Sequence, residues 1–565
     1  MKTNFSLNSC RPEIAQQSPA SNVSRFLKNI MPEMTCGHFR PTRLGRILVL
    51  AMAATFTCVV SAQDSLIDLI RDGRNDDALA AIAAGADVHA TEPDGATALM
   101  WATYKVEHEL VDALLEAGAD ADVTNMYGSS PLAEAVKLDD AELVRTLLEA
   151  GADPDSPNLD NQTALMLASY IGNLDIARML IDAGANVNTI ESFRGQTALM
   201  WAAAENNPDV AELLVAEGAD VSVKAVHDDW PRQMTSEPRA QFRPTGGLTA
   251  LLYATRSGCY RCAVAIVEAG ADINQPNPDG VTPLLNAIDN KSFDIAMYLI
   301  DQGAKVDVWD MTGRTPLYMA IDMNSFVPRS FGGFGDSFNP LANSELNTSA
   351  LDIARRLIDM GVDVNHQLTR MRPNGPGRGR FADYDMRGGT AALHVAVFTH
   401  DYEAIEILLA NAAEVDLRNV FRLTPLMYAA GMSGNGRGPT GSTGDDIQER
   451  AIRTIDMLLD AGADINAQVN DSHTLTAKLD TYIAWKDNEG RTPLHSAAEL
   501  GWDKVARHLV EHGADPTIED AEGNTPLDLA RAPVEESTRP GRRASAEGRM
   551  AVVALLNDVF NTDAD

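Results

Sequence analysis

TALMWA, at Thr97–Ala102, is spelled a second time at Thr197–Ala202. Trp and Met are among the rarer residues, so chance is a poor explanation for the repetition. A unit whose period divides the interval is a better one, and internal repeats come first because they decide the architecture. Aligned on this word, the chain shows helix-opening signatures at Thr97, Ser130, Thr163, Thr197, Thr249, Thr282, Thr315, Thr424, Thr492 and Thr525. Degenerate copies begin at Ala391 (AALHVA) and near Asp64 (DSLIDLI), and neighbouring starts are typically 33 residues apart. A second anchor follows 21 residues after each regular start: Gly-Ala-Asp at Gly85, Gly118, Gly151, Gly218, Gly270, Gly462 and Gly513, and Gly-Ala-Asn at Gly184.

Each letter has a physical reason. Thr or Ser at the start caps a helix by accepting a bond from an orphan backbone N–H. Pro in the next place, as at Pro283 and Pro493, suits the first helical position, where a missing N–H costs nothing. The Leu two residues after Thr faces the core, and the Ala five residues after it lets two helices approach closely. A second amphipathic helix follows, as in Val111–Asp120, with its leucines on one stripe. Gly then supplies the left-handed turn that ends it, and Asp or Asn suits the turn leading onward.

A 33-residue period with T-P-L-H-x-A openings and closing Gly-Ala-Asp resembles the ankyrin repeat family. The resemblance implies an all-α solenoid of about twelve helix-turn-helix repeats with projecting fingers and several long loop insertions. It would cover residues 63–560 and leave a short tail at 561–565. The family's His is kept only at His394 and His495, where the imidazole would knit neighbouring repeats. The closing Gly is replaced at Ala412, so that repeat is expected to be softer.

The chain has 565 residues, more than one compact core holds unless the architecture is extended. Its apolar fraction of 45% rules out wholesale disorder, and its formal charge of −34 disfavours phosphate backbones and anionic lipid. Residues 1–62 read as a leader rather than as part of the fold. Arg40, Arg43 and Arg46 precede an apolar run at Ile47–Val60, and small residues lead to expected cleavage after Ala62. The run is short for a membrane span. Translation is expected to start at Met31 or Met34, since the stretch ahead of the run is long for such a signal. The leader holds seven Lys/Arg against two Asp/Glu, so the remainder is near −39.

The period breaks in six places. Inserts fall in fingers at about residues 224–246, 366–388 and 467–486, between paired helices at 322–347 and 431–447, and in the last copy at 532–544. In repeat folds such insertions map to loops and commonly flank the binding face. One finger insert carries Arg370, Arg372, Arg378, Arg380 and Arg387, and another carries Arg232, Arg239 and Arg243 with Trp230 and Phe242. These can clamp an acidic partner, or pair with the protein's own acidic flank. The helix position after the family's His is expected to face the concave side and holds Trp101, Trp201, Tyr253, Met319 and Tyr428, with Phe193 and Trp309 in fingers. Aromatic anchors of this kind dominate interfaces, and packing on the neighbouring repeat is the plain alternative.

Beyond the leader only Cys259 and Cys262 remain. A local disulfide, two free thiols, and a redox or metal role stay open. Haem attachment is disfavoured because Ala263, not His, follows the second Cys. No phosphate loop, HExxH or dinucleotide motif occurs, so neither catalysis, cofactor nor metal is expected. The expectation is an exported monomer, periplasmic or secreted and of bacterial origin, that binds a protein, with no nucleic acid and no stable membrane insertion after cleavage. A redox-linked protective protein using Cys259 and Cys262, or a secreted factor acting on host proteins, are the alternatives.

Overall fold

Thr97 Oγ1 accepts the N–H of Met100 at 3.2 Å, and Thr197 Oγ1 accepts that of Met200 at 3.3 Å. The bond recurs at Ser130, Thr249 and Thr282, satisfying one orphan amide of each first helix. At the two copies with the family's His, the imidazole joins in: His394 Nδ1 accepts the N–H of Ala391, and His495 Nδ1 that of Thr492, both at 3.1 Å. His495 therefore carries its hydrogen on Nε2 and donates it to the Asn524 carbonyl at 3.1 Å, one repeat further on.

A computed structural model describes residues 64–227, 246–324, 347–369, 388–432, 445–470, 488–533 and 546–562. Residues 1–63, which include the expected leader, the C-terminal residues 563–565 and the greater part of every insert lie outside the described residues. Among those described are twenty-four helices, no named strand and three isolated bridges. No described helix is long and apolar enough to cross a membrane. Two units are distinguished, Met1–Met126 and Tyr127–Asp565. The first holds the pairs Leu66–Arg71 with Asn75–Ala83 and Ala98–Tyr104 with His108–Glu116; the second holds ten further pairs.

Within the second unit, first helices stack on first helices, as Ala164–Ile171, Ala198–Ala204 and Ala250–Ser257 do in turn. Second helices stack likewise, as in Pro208–Ala216 against Tyr260–Glu268. The letters predicted to face the core do so. Leu132, Leu165, Leu199, Leu251, Leu284, Leu317, Leu426 and Leu494 are buried, and Ala135, Ala168, Ala202, Ala254, Ala287, Ala320 and Ala497 have no exposed surface. Each such Leu contributes about 2 kcal/mol by leaving water, and none could do so without its neighbouring repeat.

The closing turn shows why Gly is spelled there. Gly462 sits at φ +92°, and nothing lies within 4 Å of where a Cβ would be, so conformation and not space requires it. Ala412 adopts the same left-handed region at φ +64°. The Asp that follows pins the turn: Asp272 Oδ1 accepts the N–H of Asn274, and Asp464 Oδ1 that of Asn466, each at 2.9 Å. These asparagines then reach the next repeat. Asn274, Asn365 and Asn466 accept the N–H groups of Lys305, Glu414 and Asp515, each at 2.8 Å.

Fingers are joined by a second ladder. The N–H of Met311 donates to the Asp279 carbonyl, Val420 to Gly388 and Ala521 to Glu489, at 3.0–3.1 Å. At Gly490 a Cβ would lie 2.7 Å from Ala521 N, so here contact as well as the positive φ excludes a side chain. Fingers interrupted by inserts keep a common neck. Ala225 donates to Leu248 at 2.9 Å and Gly247 to Val226 at 3.1 Å; Leu368 donates to Thr390 at 2.9 Å and Gly389 to Leu368 at 2.7 Å. Val469 and Arg491 repeat the first of these bonds at 3.0 Å.

The word GRTPL occurs twice and its Arg is buried both times. Arg314 meets Asp310 of its own finger at 2.7 Å and Asp289 of the preceding first helix at 3.0 Å. Burial opposes the Arg314 charge, but Asp289 and Asp310 outweigh it and hold the guanidinium above its usual range. Arg491 instead meets Glu499 of the first helix that follows it at 3.1 Å and Asp520 of the next finger at 3.3 Å.

Two outcomes follow from these positions. Ala412→Gly should stabilise the repeat by about 1 kcal/mol by removing a left-handed Ala, raising the urea midpoint. Burial pushes His394 down to about 4 from its ordinary 6.5. As pH falls through 6.5, the unfolded chain takes a proton that the folded imidazole refuses, so this contribution is complete at neutral pH and declines toward pH 4. The loss amounts to about 3 kcal/mol. His394→Gln should flatten that part of the urea midpoint's fall between pH 7 and 4.5; an unchanged slope would contradict the assignment.

Candidate functional site

The finger turns are built around buried acceptors that leave their tips outward. Glu191 is 2% exposed, and its carboxylate accepts the N–H groups of Phe193 at 2.6 Å, Arg194 at 2.7 Å and Gln196 at 3.0 Å. The loop so pinned presents Phe193 at 68% exposure, with the Arg194 guanidinium 5.7 Å from the ring centroid. In the finger around Trp309, Asp310 plays the same part, accepting from Thr312 at 2.8 Å and Arg314 at 3.0 Å. Burial works against the Asp310 charge, but Arg314 and the Thr312 hydroxyl hold its carboxyl below the usual range. Trp309 is 54% exposed and stacks on His366, centroids 5.6 Å apart. Leu159, Ile190, Val226 and Met311 are exposed on fingers of the same unit.

The helix-face aromatics do not behave alike. Trp201 is half-buried and meets Tyr170 edge to face at 5.7 Å. Tyr253 is buried, accepts a hydrogen bond from Gln196 Nε2 at 2.6 Å and lies under Arg256, 4.8 Å from its centroid. Burial raises the Tyr253 hydroxyl above its ordinary range. Met319 and Tyr428 are each 1% exposed, so they are core residues and not binding anchors. For Tyr428 the reason is packing from the preceding repeat as well as its own finger: Asn419 Nδ2 donates to the Tyr428 hydroxyl at 2.8 Å, and His394 and Phe398 close over its ring.

In the first unit, Trp101 is half-buried and its Nε1 donates to Glu92 at 2.8 Å, while Glu92 also holds Arg71. Trp201 occupies the same letter of the same word, yet its Nε1 is buried with no hydrogen-bond partner. The finger carboxylate in that repeat, Glu191, is already engaged by three backbone amides. Arg370, Arg372, Arg378 and Arg380 lie outside the described residues, as do Arg232, Arg239, Arg243, Trp230 and Phe242.

Cys259 and Cys262 are joined as a disulfide at the start of helix Tyr260–Glu268, where Cys259 is the cap and the N–H of Cys262 points at its sulfur. Both are buried. One further cluster escaped the sequence reading. Asp456, His508 and His512 come together on helices Asp445–Asp460 and Asp503–Glu511 and the cap of the latter. The His-x3-His spacing was its available signal; nothing in the order of residues indicates Asp456.

Comparison with known proteins agrees with this geometry. A model of ankyrin repeats in three copies matches residues 66–158, 135–225 and 251–327, and one of many copies matches 483–530. The chain belongs to the ankyrin repeat family. It is similar to the B-cell lymphoma 3 protein homolog of Mus musculus, 28% identical over 145 residues, which are 26% of this chain and 25% of that protein. The Neurogenic locus Notch protein of Drosophila melanogaster is 29% identical over 175 residues, 27% of this chain and 6% of its own. Ankyrin repeat and SOCS box protein 11 of Danio rerio is 58% identical over 38 residues, 7% and 13% respectively. The chain thus spans a quarter or less of the length of these relatives.

The two tryptophans of the repeated word allow a direct check. Trp101→Phe removes a bond to a carboxylate and should cost about 2 kcal/mol more than the same change at Trp201, where no bond is lost. Equal losses in urea denaturation would contradict the different roles of the two indoles.

Proposed function

We propose that this protein is an exported, non-catalytic scaffold that binds a protein partner through the finger row of its second unit. The observation that carries this reading is the recurrence of large apolar side chains, Leu159, Phe193, Val226 and Trp309, exposed on fingers whose backbones are held by ladder bonds and buried acceptors. Rigid presentation lowers the ordering cost of binding, and aromatic anchors supply most of its energy. The acidic body favours a partner whose apolar contact surface is ringed by basic groups.

Export is supported by the basic flank, short apolar run and small residues within 1–62 and by the Cys259–Cys262 bridge, since disulfides persist mainly in oxidising compartments. The redox alternative has less support, because both sulfurs are buried away from reductants. Cell fractionation with mapping of the mature N-terminus should find the protein outside the cytoplasm and beginning at Gln63. A cytoplasmic chain retaining its first sixty-two residues would remove the export component.

The binding component has a separate test. A Phe193→Ser/Trp309→Ala variant should fold as wild type by circular dichroism, and its affinity for a partner captured by the wild type should fall about 10-fold or more. Arg370→Ala/Arg378→Ala serves as a second arm for the basic insert. Undiminished affinity in the finger variant would redirect binding to another surface.

A further inference from the structure

We infer that Asp456, His508 and His512 form a binding site for a zinc-class divalent ion, with three protein ligands and an open fourth position. Nothing in the proposed partner surface involves these residues. They lie on second helices, where Asp445–Asp460 packs against Asp503–Glu511. His508 and His512 are four residues apart, so they share one helix face, and their ring centroids are 4.1 Å apart. His508 Nε2 lies 2.5 Å from Asp456 Oδ1. One donor atom from each of the three residues falls within 4.8 Å of the other two. Small side-chain rotations bring such donors to the roughly 2.0–2.2 Å that zinc requires.

The tautomer of His512 is the independent observation that points to a ligand. Its Nδ1 is 2.8 Å from the His508 carbonyl oxygen. A carbonyl only accepts, so Nδ1 carries a hydrogen, and in the neutral ring that leaves Nε2 with its lone pair. A backbone carbonyl fixing the remote nitrogen is the arrangement that orients metal-bound imidazoles. The site also sits at a helix C-terminus, whose partial negative charge favours a cation, on a chain of formal charge −34. His512 is exposed and the Asp456 side chain is 46% exposed, so an ion can enter from solvent.

Two imidazole nitrogens and one carboxylate oxygen suit zinc and its neighbours, whereas calcium and magnesium prefer oxygen alone. On binding, the ion takes the place of the hydrogen between His508 Nε2 and Asp456. A neutral His508 that held its one hydrogen on Nε2 then carries it on Nδ1 instead, the exchange passing through solvent, and a doubly protonated one keeps the Nδ1 hydrogen and releases the Nε2 proton to solvent. Water would fill the fourth position. The bound ion would tie the second helices of two successive repeats together, a cross-link made by side chains and not by the stacking.

The test uses the full chain without a histidine tag, stripped with EDTA and titrated calorimetrically with Zn2+ in excess Mg2+, which occupies simple carboxylate clusters. Expected is one Zn2+ per chain with a dissociation constant of about 1–10 μM, weakened about 10-fold or more in His512→Gln and in Asp456→Asn. Both variants alter groups accessible to solvent, and circular dichroism checks their fold. Co2+ in place of Zn2+ should give the visible bands of a tetrahedral site in the wild type and lose them in either variant. No saturable Zn2+ site below about 100 μM, or variants that titrate and absorb as the wild type does, would overturn the assignment.

Discussion

Everything in this protein depends on the contact between one helical hairpin and the next. A hairpin of two short helices has an apolar face it cannot cover by itself, and these helices are too short to persist alone in water. The recurring Ala, with no exposed surface in copy after copy, is what lets neighbouring first helices come close enough for the leucines to be buried. Where an Asn follows two residues after the closing Asp, as at Asn274, Asn365 and Asn466, it adds a directional bond to the same interface, from a side chain in one repeat to a backbone amide in the next. Apolar burial drives the stacking; the asparagine bonds set its register.

That division of labour leaves the fingers free to vary. Their turns are closed by internal carboxylates and amides, Glu191, Asp310 and Asn419 among them, so a finger's conformation does not depend on which side chain stands at its tip. Phe193 and Trp309 can therefore be exposed without loosening the stack. Inserts enter through the same necks, and the repeats on either side keep their ladder. Recognition and stability occupy different atoms, which is how one repeated word can serve a surface that is not repeated.

Much of the fold was legible because the residues that form it act locally. Thr caps its own helix, Gly takes its own left-handed turn, and Asp pins the amide two residues ahead, so each leaves a letter at a constant place. The candidate site was less legible. Trp201, Tyr253 and Tyr428 share one register position, yet one is half-buried, one lies under an Arg, and one is sealed beneath His394 and Phe398. The register places a residue on the helix; the size of its neighbours decides whether any of it reaches solvent.

The sequence by itself determined the helix pairs, their capping, the period and the positions of the inserts, since these follow from interactions within a few residues. Only the tertiary structure decided which long side chains meet across repeats. Two copies of TALMWA give one indole a carboxylate and leave the other without one, and two copies of GRTPL turn their Arg toward opposite neighbours. Asp456 reaches His508 across 52 residues of chain. A buried charge or ring nitrogen takes whatever partner packing brings within bond length, and packing is a property of adjacent repeats together rather than of either one's letters.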